Sequence, residues 1–211
     1  MAKSFLKCQL GFLGNAEGSA FLSQGLTTVS VSIVGPYEPK ASKILYDRAI
    51  VDVKFRRKTG SITVYDKMLE SIMQSTIEKS INVEQYPRSS ISIIVQEMQD
   101  RGNLLSTSLN ASCLALMNSG IAMNHVFAAV SCAVLENEEI ILNPDESKIK
   151  SSEAYITLVF ANSENRELLS SYTTGHFSQL TYIHCMDKCY AASKKVFKFY
   201  INLINNGTMF K

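Results

Sequence analysis

Residues 90–120, SISIIVQEMQDRGNLLSTSLNASCLALMNSG, constrain the fold more than any other stretch of the chain. The first ten read as a strand and the segment from about 104 to 118 as a helix, with Asp-Arg-Gly-Asn between them. A strand that enters a helix through a glycine turn commits the chain to layers of sheet and helix. The helix is rich in small residues, which let neighbouring elements approach closely. Such a turn is also a common place to hold a phosphate, because a helix N-terminus presents unpaired N–H groups. Yet this helix opens on Leu104 and Leu105, where an anion would want hydroxyls or an arginine.

The rest of the chain fits the same plan. Residues 21–34 read as a hairpin turning at Gly25 and stopping at Gly35-Pro36, and residues 50–55 (IVDVKF) alternate as a strand. A basic loop, RRKTGS, follows, and then Met68, Leu69, Ile72, Met73 and Ile77 mark one face of a helix over 66–81. The second half repeats the pattern. Strands are expected at 125–135, 140–142, 154–161 and from Glu167, and a long helix over 177–204 carries Leu180, Ile183, Met186, Ala191, Val196, Phe199 and Leu203. The expected class is α+β, with mixed sheets packed against helices in a single domain built on repeated β-α units.

Composition narrows the function. The chain has 211 residues, 46% of them hydrophobic, so it can bury one sizeable core. Lys+Arg number 21 against 19 Asp+Glu, a balance unlike that of a freestanding basic nucleic-acid binder. No apolar run reaches the roughly eighteen residues that span a bilayer, and Gln9, Asn15 and Glu17 interrupt any signal-peptide core. An intracellular protein with no membrane partner is expected. Five cysteines, odd in number and mostly in apolar surroundings, suit buried thiols in a reducing compartment. The sequons at Asn110 and Asn206 then carry no sugar.

Few constellations carry chemistry. His125, His176 and His184 share no metal-ligand spacing, and Cys185 and Cys189 lack a second pair to complete a zinc site, so no metal is expected. Arg56, Arg57 and Lys58 follow one strand, Arg88 precedes another, and Arg101 lies in the loop before the small-residue helix. Such cations are usually solvated surface. Their placement at element ends makes them candidate RNA-backbone contacts, since loops can gather several guanidinium groups on one rim. Asp145, with Glu146 beside it and Glu153 a turn or so later, has at best one weak partner, whereas metal-assisted phosphoryl transfer wants converging carboxylates.

Three ordered segments carry a resemblance. GSAFLSQGLTTVSVSIVGP (18–36), QYPRSSISIIVQEMQDRGNLLSTSLNASCLALMNSGIAM (85–123), and LNPDESKIKSSEA (142–154) with ASKKVFKFY (192–200) together resemble the RNase PH family. The closest likeness is to a branch found in the core ring of the eukaryotic exosome. The resemblance spans about 18–200 and sets a domain at 18–204, leaving 1–17 as an N-terminal extension and 205–211 as a C-terminal tail. In this family, phosphate held on a Gly-Thr-Arg sequence attacks the 3′-terminal linkage of RNA and releases a nucleoside diphosphate. Those three residues fall here at Asn103, Leu104 and Leu105. The family's three aspartates fall at Asn143, Asp145 and Ile149. Two carboxylates, the hydroxyl and the guanidinium are absent.

The resemblance therefore implies a non-catalytic subunit of a hexameric exosome core ring, which helps assemble the ring and guides single-stranded RNA toward 3′-to-5′ processing. It implies no cofactor. It implies as partners other RNase PH-like subunits and cap subunits, and as location nucleus, nucleolus and cytoplasm. The alternative is a residual phosphorolytic or hydrolytic nuclease acting as a homodimer on RNA or DNA through Asp145. Whether a homodimer exists outside the ring stays open.

Overall fold

The computed structural model describes residues 6–137, 139–163, 165 and 167–205. The first sheet has five strands in the order β1-β2-β3-β5-β4. These are β1 (Leu6–Leu10), β2 (Gly18–Gln24), β3 (Thr27–Tyr37), β4 (Ile50–Arg56) and β5 (Ser90–Gln99). All pairings are antiparallel except β4 with β5, which run parallel in a register that sets Ile50 beside Ser90 and Arg56 beside Gln96. The second sheet is antiparallel, in the order β7-β6-β8-β9. It comprises β6 (Phe127–Val134), β7 (Ile140–Leu142), β8 (Ala154–Ala161) and β9 (Leu168–Gly175).

Four α-helices connect and cover the sheets: α1 (Val64–Ser80), α2 (Leu104–Ser119), α3 (Glu146–Lys150) and α4 (Gln179–Asn205). Helix α2 touches β2 and β3 of one sheet and β6 of the other, so it joins the two halves into one core. Every residue from Leu104 to Leu116 is consequently buried, and the helix can be buried all round because its residues are small or apolar. At Gly18 a Cβ would collide with the Ala115 carbonyl of α2, so only glycine allows this approach. Asn110 of α2 donates to the Ala129 carbonyl (2.9 Å) and accepts from the Ala129 N–H (2.8 Å), pairing β6 where β7 does not reach.

The α+β class and the strand–helix succession agree with the sequence reading. Several details differ. Leu6–Leu10, expected in an N-terminal extension, forms a strand along β2. The stop expected at Gly35-Pro36 is a register shift between Val34 and Tyr37, and β3 runs on through it. The buried stripe of α4 is Thr181, Cys185, Cys189, Ser193, Val196 and Tyr200, while Leu180 and Ile183 are exposed. Small thiols and hydroxyls let α4 lie close to β6 and β8, which the larger side chains would prevent. The five-residue α3 was not anticipated. The tail at 205–211 lies, beyond Asn205, outside the described residues, as does the sequon at Asn206.

Candidate functional site

Because β4 and β5 are parallel neighbours, the loops after them, and the helices α1 and α2 that those loops feed, begin at the same end of the sheet. At that end, Gly102 (φ +102°) and Asn103 (φ 62°) turn the chain into α2. A Cβ at Gly102 would come within 2.8 Å of the Pro144 carbonyl and 2.9 Å of the Glu146 nitrogen. The turn is thus pressed against the start of α3. The Glu146 N–H donates to the Arg101 carbonyl (2.9 Å), and Asn103 Nδ2 donates to the Pro144 carbonyl (2.8 Å). Thr27 Oγ1 donates to the Gly102 carbonyl and accepts from the Arg101 N–H (3.1 Å).

This framework encloses a cleft of about 360 Å³ lined by Leu104, Leu105 and Ile149, together with Tyr65, Asp100, Asn103, Glu146, Tyr155 and Tyr172. Four of the six family positions, Asn103, Leu104, Leu105 and Ile149, therefore converge, and all but Asn103 are apolar. Leu104 and Leu105 are 6% and 4% exposed, so their side chains pack inward. The two remaining positions lie elsewhere. Asn143 is half-buried in a different hollow, and its Oδ1 accepts from Gln24 Nε2 (2.9 Å). Asp145 is exposed at the N-terminus of α3, beside Arg101, Ser147 and Lys150. Glu146 forms an ion pair with Lys150 (2.7 Å), and this partner holds its carboxyl below the ordinary range. Among the described residues no three acid, histidine or cysteine side chains converge on a metal position.

The tyrosines were missed by sequence reading. They come from α1, β8 and β9, and only the topology gathers them. The pairings Tyr155↔Thr174 and Thr157↔Tyr172 set both strand tyrosines on one face. Partial burial of Tyr65, which stays 45% exposed, raises its hydroxyl to about 12, with further upward contributions from Tyr172, Tyr155 and Asp100 and an opposing one from Arg57. The Tyr155 hydroxyl donates to Ser131 Oγ at 2.9 Å.

The five candidate cations divide. Arg56, expected just past a strand, is the last residue of β4, and Arg57, Lys58 and Arg101 lie past the C-terminal ends of β4 and β5, whereas Arg88 precedes β5 at the other end. Six residues of register separate the ends, roughly 20 Å of strand, so one rim cannot hold all five. Arg88 is exposed and stands over the Tyr46 ring at 5.4 Å. Arg57 is committed to the fold: its Nε donates to Asp66 Oδ1 (2.6 Å) and its guanidinium stands over Tyr65 at 5.9 Å. Arg56, Lys58 and Arg101 are exposed, and none forms an ion pair among the described residues. Burial pushes Cys8 and Cys113 up to about 12, which leaves both as unreactive thiols.

Comparison with known proteins agrees with this fold. The RNase PH pattern, "3′ exoribonuclease family, domain 1", matches residues 5–122, more than half of the chain. The chain belongs to the RNase PH family. Among curated RNase PH-like proteins it is 29% identical over 207 residues to the rice (Oryza sativa subsp. japonica) "Exosome complex exonuclease RRP46 homolog", covering 91% of this chain and 87% of that one. It is 34% identical over 139 residues to the Caenorhabditis elegans "Exosome complex component RRP46 homolog", covering 66% of this chain and 64% of that one. The crystal structure of rice Rrp46 superposes with a TM-score of 0.88 at 31% identity, covering 92% of this chain and 91% of that one. The RNase PH fold of an archaeal exosome core is similar at a TM-score of 0.75 and 17% identity, with 90% of this chain and 84% of that one covered.

Proposed function

We propose that the chain is a non-catalytic subunit of an exosome-type ring, assembling with other RNase PH-like chains and cap subunits and guiding single-stranded RNA in 3′-to-5′ processing. One observation carries the reading. The resemblance puts the family's phosphate-holding turn at the start of α2, and Leu104, Leu105 and Ile149 line the cleft there. None of their side chains can donate a hydrogen bond to phosphate or neutralise its charge, and the two carboxylates among the lining residues, Asp100 and Glu146, would repel it. Among the described residues no group of three acid, histidine or cysteine side chains gathers at Asp145, and metal-assisted nuclease chemistry calls for such a convergence.

The resemblance of most of the chain to exosome proteins supports the ring assignment; the location proposed with it is nucleus, nucleolus and cytoplasm. Arg56, Lys58 and Arg101 are its RNA-path residues, supported by their exposure at one end of the sheet. The test is release of nucleoside diphosphate from a 3′-single-stranded RNA by the purified full chain in phosphate and magnesium. The expected result is no release. Turnover that survives purification and disappears on Asp145→Asn would overturn the reading.

A further inference from the structure

The end of the first sheet opposite the α2 turn carries groups that the fold does not use. Arg88 has φ 57°, a left-handed backbone that a residue other than glycine adopts only at a cost. Its N–H donates to the Leu45 carbonyl (3.1 Å), which ties the turn before β5 to the loop before β4. The guanidinium is set over one face of the Tyr46 ring (5.4 Å), and that ring is 73% exposed and lies outside the core. Beside this pair is a hollow of about 460 Å³ lined by Lys40, Lys43 and Lys54 with Tyr37 and Ser90. Chain continuity fixes the adjacency. Arg88 is two residues from Ser90 and Tyr46 is three from Lys43, so each Cα is within about 11 Å of the lining. Asp52 and Glu38 also line the hollow, but Asp52 is held by Lys54 (3.2 Å). Lys40, Lys43 and Arg88 form no ion pair among the described residues. On the adjoining loops Asp47 and Arg48 offset one another, and Glu84 is one further exposed acid.

We infer that this end is a second contact site for single-stranded RNA, with a base stacked on Tyr46 and backbone phosphates on Lys40 and Lys43. The surplus of positive charge is small, so charge alone would not select a polyanion. The exposed ring makes the selection. Arg88 occupies one face and leaves the other for a base, and every base offers a π-face at an aromatic platform beside cations. The base must be free of its own stack, so the site takes a single strand and not a duplex. A protein partner would cover the ring as well, but protein interfaces are depleted in lysine, and two unpaired lysines stand here. The inference goes beyond the proposed function. This end lies roughly 20 Å of strand from Arg56, Lys58 and Arg101, so it would hold RNA outside the path that those residues define.

The test uses the full chain with a short labelled oligouridylate, followed by fluorescence anisotropy, with duplex RNA and inorganic polyphosphate as competitors. A second oligonucleotide carries 5-iodouridine, and its photo-cross-links are mapped by peptide mass spectrometry. The single strand is expected to bind, to cross-link at Tyr46 and to resist both competitors. Tyr46→Ala should weaken binding about tenfold, and Tyr46→Phe should keep it because the ring remains. Arg88→Gly suits the left-handed backbone, so the fold is kept, and should weaken binding about threefold through the lost guanidinium. The Lys40→Ala/Lys43→Ala double variant should lower the slope of log K against log salt by about 1.4, or 0.7 for each phosphate. No binding by the full chain would overturn the inference. Polyphosphate competing as well as RNA, with Tyr46→Ala unchanged, would reduce the site to surface charge and overturn it. Cross-links confined to 56–58 and 101 would overturn it and leave the proposed function standing. Loss of assembly with sister subunits in Tyr46→Ala, at unchanged RNA affinity, would make the ring a protein contact and overturn it too. Release of nucleoside diphosphate would overturn the proposed function and leave this site standing.

Discussion

Helices α1 and α2 start at the same end of the same sheet, each from a loop that leaves one of two parallel strands, and their first turns are built in opposite ways. Helix α1 has a complete capping box. The Thr63 side chain accepts from the Asp66 N–H, the Asp66 carboxylate accepts from the Thr63 N–H (2.8 Å), and Arg57 pairs with the same carboxylate. Helix α2 starts from Asn103 in the left-handed region with no side-chain cap and no acid in its first turn. It is held instead by burial of Leu104 and Leu105. A first turn reserved for a ligand cannot also be closed by its own side chains. On the proposed reading the open end of α2 is what remains of a ligand site after the phosphate chemistry has gone, whereas the start of α1 is closed by its own side chains.

The contrast predicts two different failures. Leu105→Ala should cost about 3 kcal/mol, the usual size for a buried leucine truncated in a core, and urea unfolding should show it with no pH dependence. Asp66→Ala should cost roughly 2 kcal/mol by removing the box and leaving Arg57 without its carboxylate. A loss below about 1 kcal/mol at Leu105 would mean that the leucines fill a cleft without supporting the helix, and the comparison would fail on that side.

The acid limb of stability separates the two ends further. Burial works to raise the Asp66 carboxyl, but the Thr63 N–H, Arg57 and the Thr63 hydroxyl outweigh it and hold the group below its ordinary value. A depressed folded pKa stabilises above the unfolded value, and that contribution disappears as pH falls through the folded one. Stability should accordingly drop below about pH 4, and Asp66→Asn should flatten that limb. Tyr65, raised to about 12 mainly by burial, acts at the other extreme. Its contribution is complete below about pH 10 and is lost as pH rises through the folded value, so Tyr65→Phe should flatten the alkaline limb. Unchanged limbs in both variants would remove the electrostatic side of the comparison.

Much of the fold was legible because periodicity is local. The alternation of IVDVKF and the continuous run ISIIV fall in β4 and β5. Leu6–Leu10 was illegible as a strand because LKCQL exposes alternate residues at a sheet edge and contains no β-branched residue. The α4 face was misread because its inward stripe is made of Thr181, Cys185, Cys189 and Ser193, residues whose value there is their size. The site was legible in part. Leu104, Leu105 and Ile149 could be singled out by alignment with the family motif, yet Tyr155 and Tyr172 needed sheet register. Arg57 was read as one of three equivalent loop cations. Its pairing with Asp66 depends on the strand and helix packing side by side, which spacing in the chain does not reveal.

That pairing gives the smallest and most selective prediction. If Arg57 belongs to the α1 start while Arg56 and Lys58 stay free, the three neighbouring cations must separate by assay. Arg57→Ala should cost about 1 kcal/mol of stability, discounted because its side chain is 38% exposed, and should leave the salt dependence of RNA association unchanged. Arg56→Ala and Lys58→Ala should leave stability unchanged within about 0.5 kcal/mol. Within an assembled ring whose nuclease is inactive, each phosphate contact they lose should lower the slope of log K against log salt by about 0.7. The effect should be the same for different base sequences, because these groups would meet backbone charge. Equal slopes for wild type and the Arg56/Lys58 double variant would make these residues solvated surface, and loss of the ring would make them interface. A slope change in Arg57→Ala alone would show that its guanidinium leaves Asp66 for RNA, and the first turn of α1 would then be a ligand site after all.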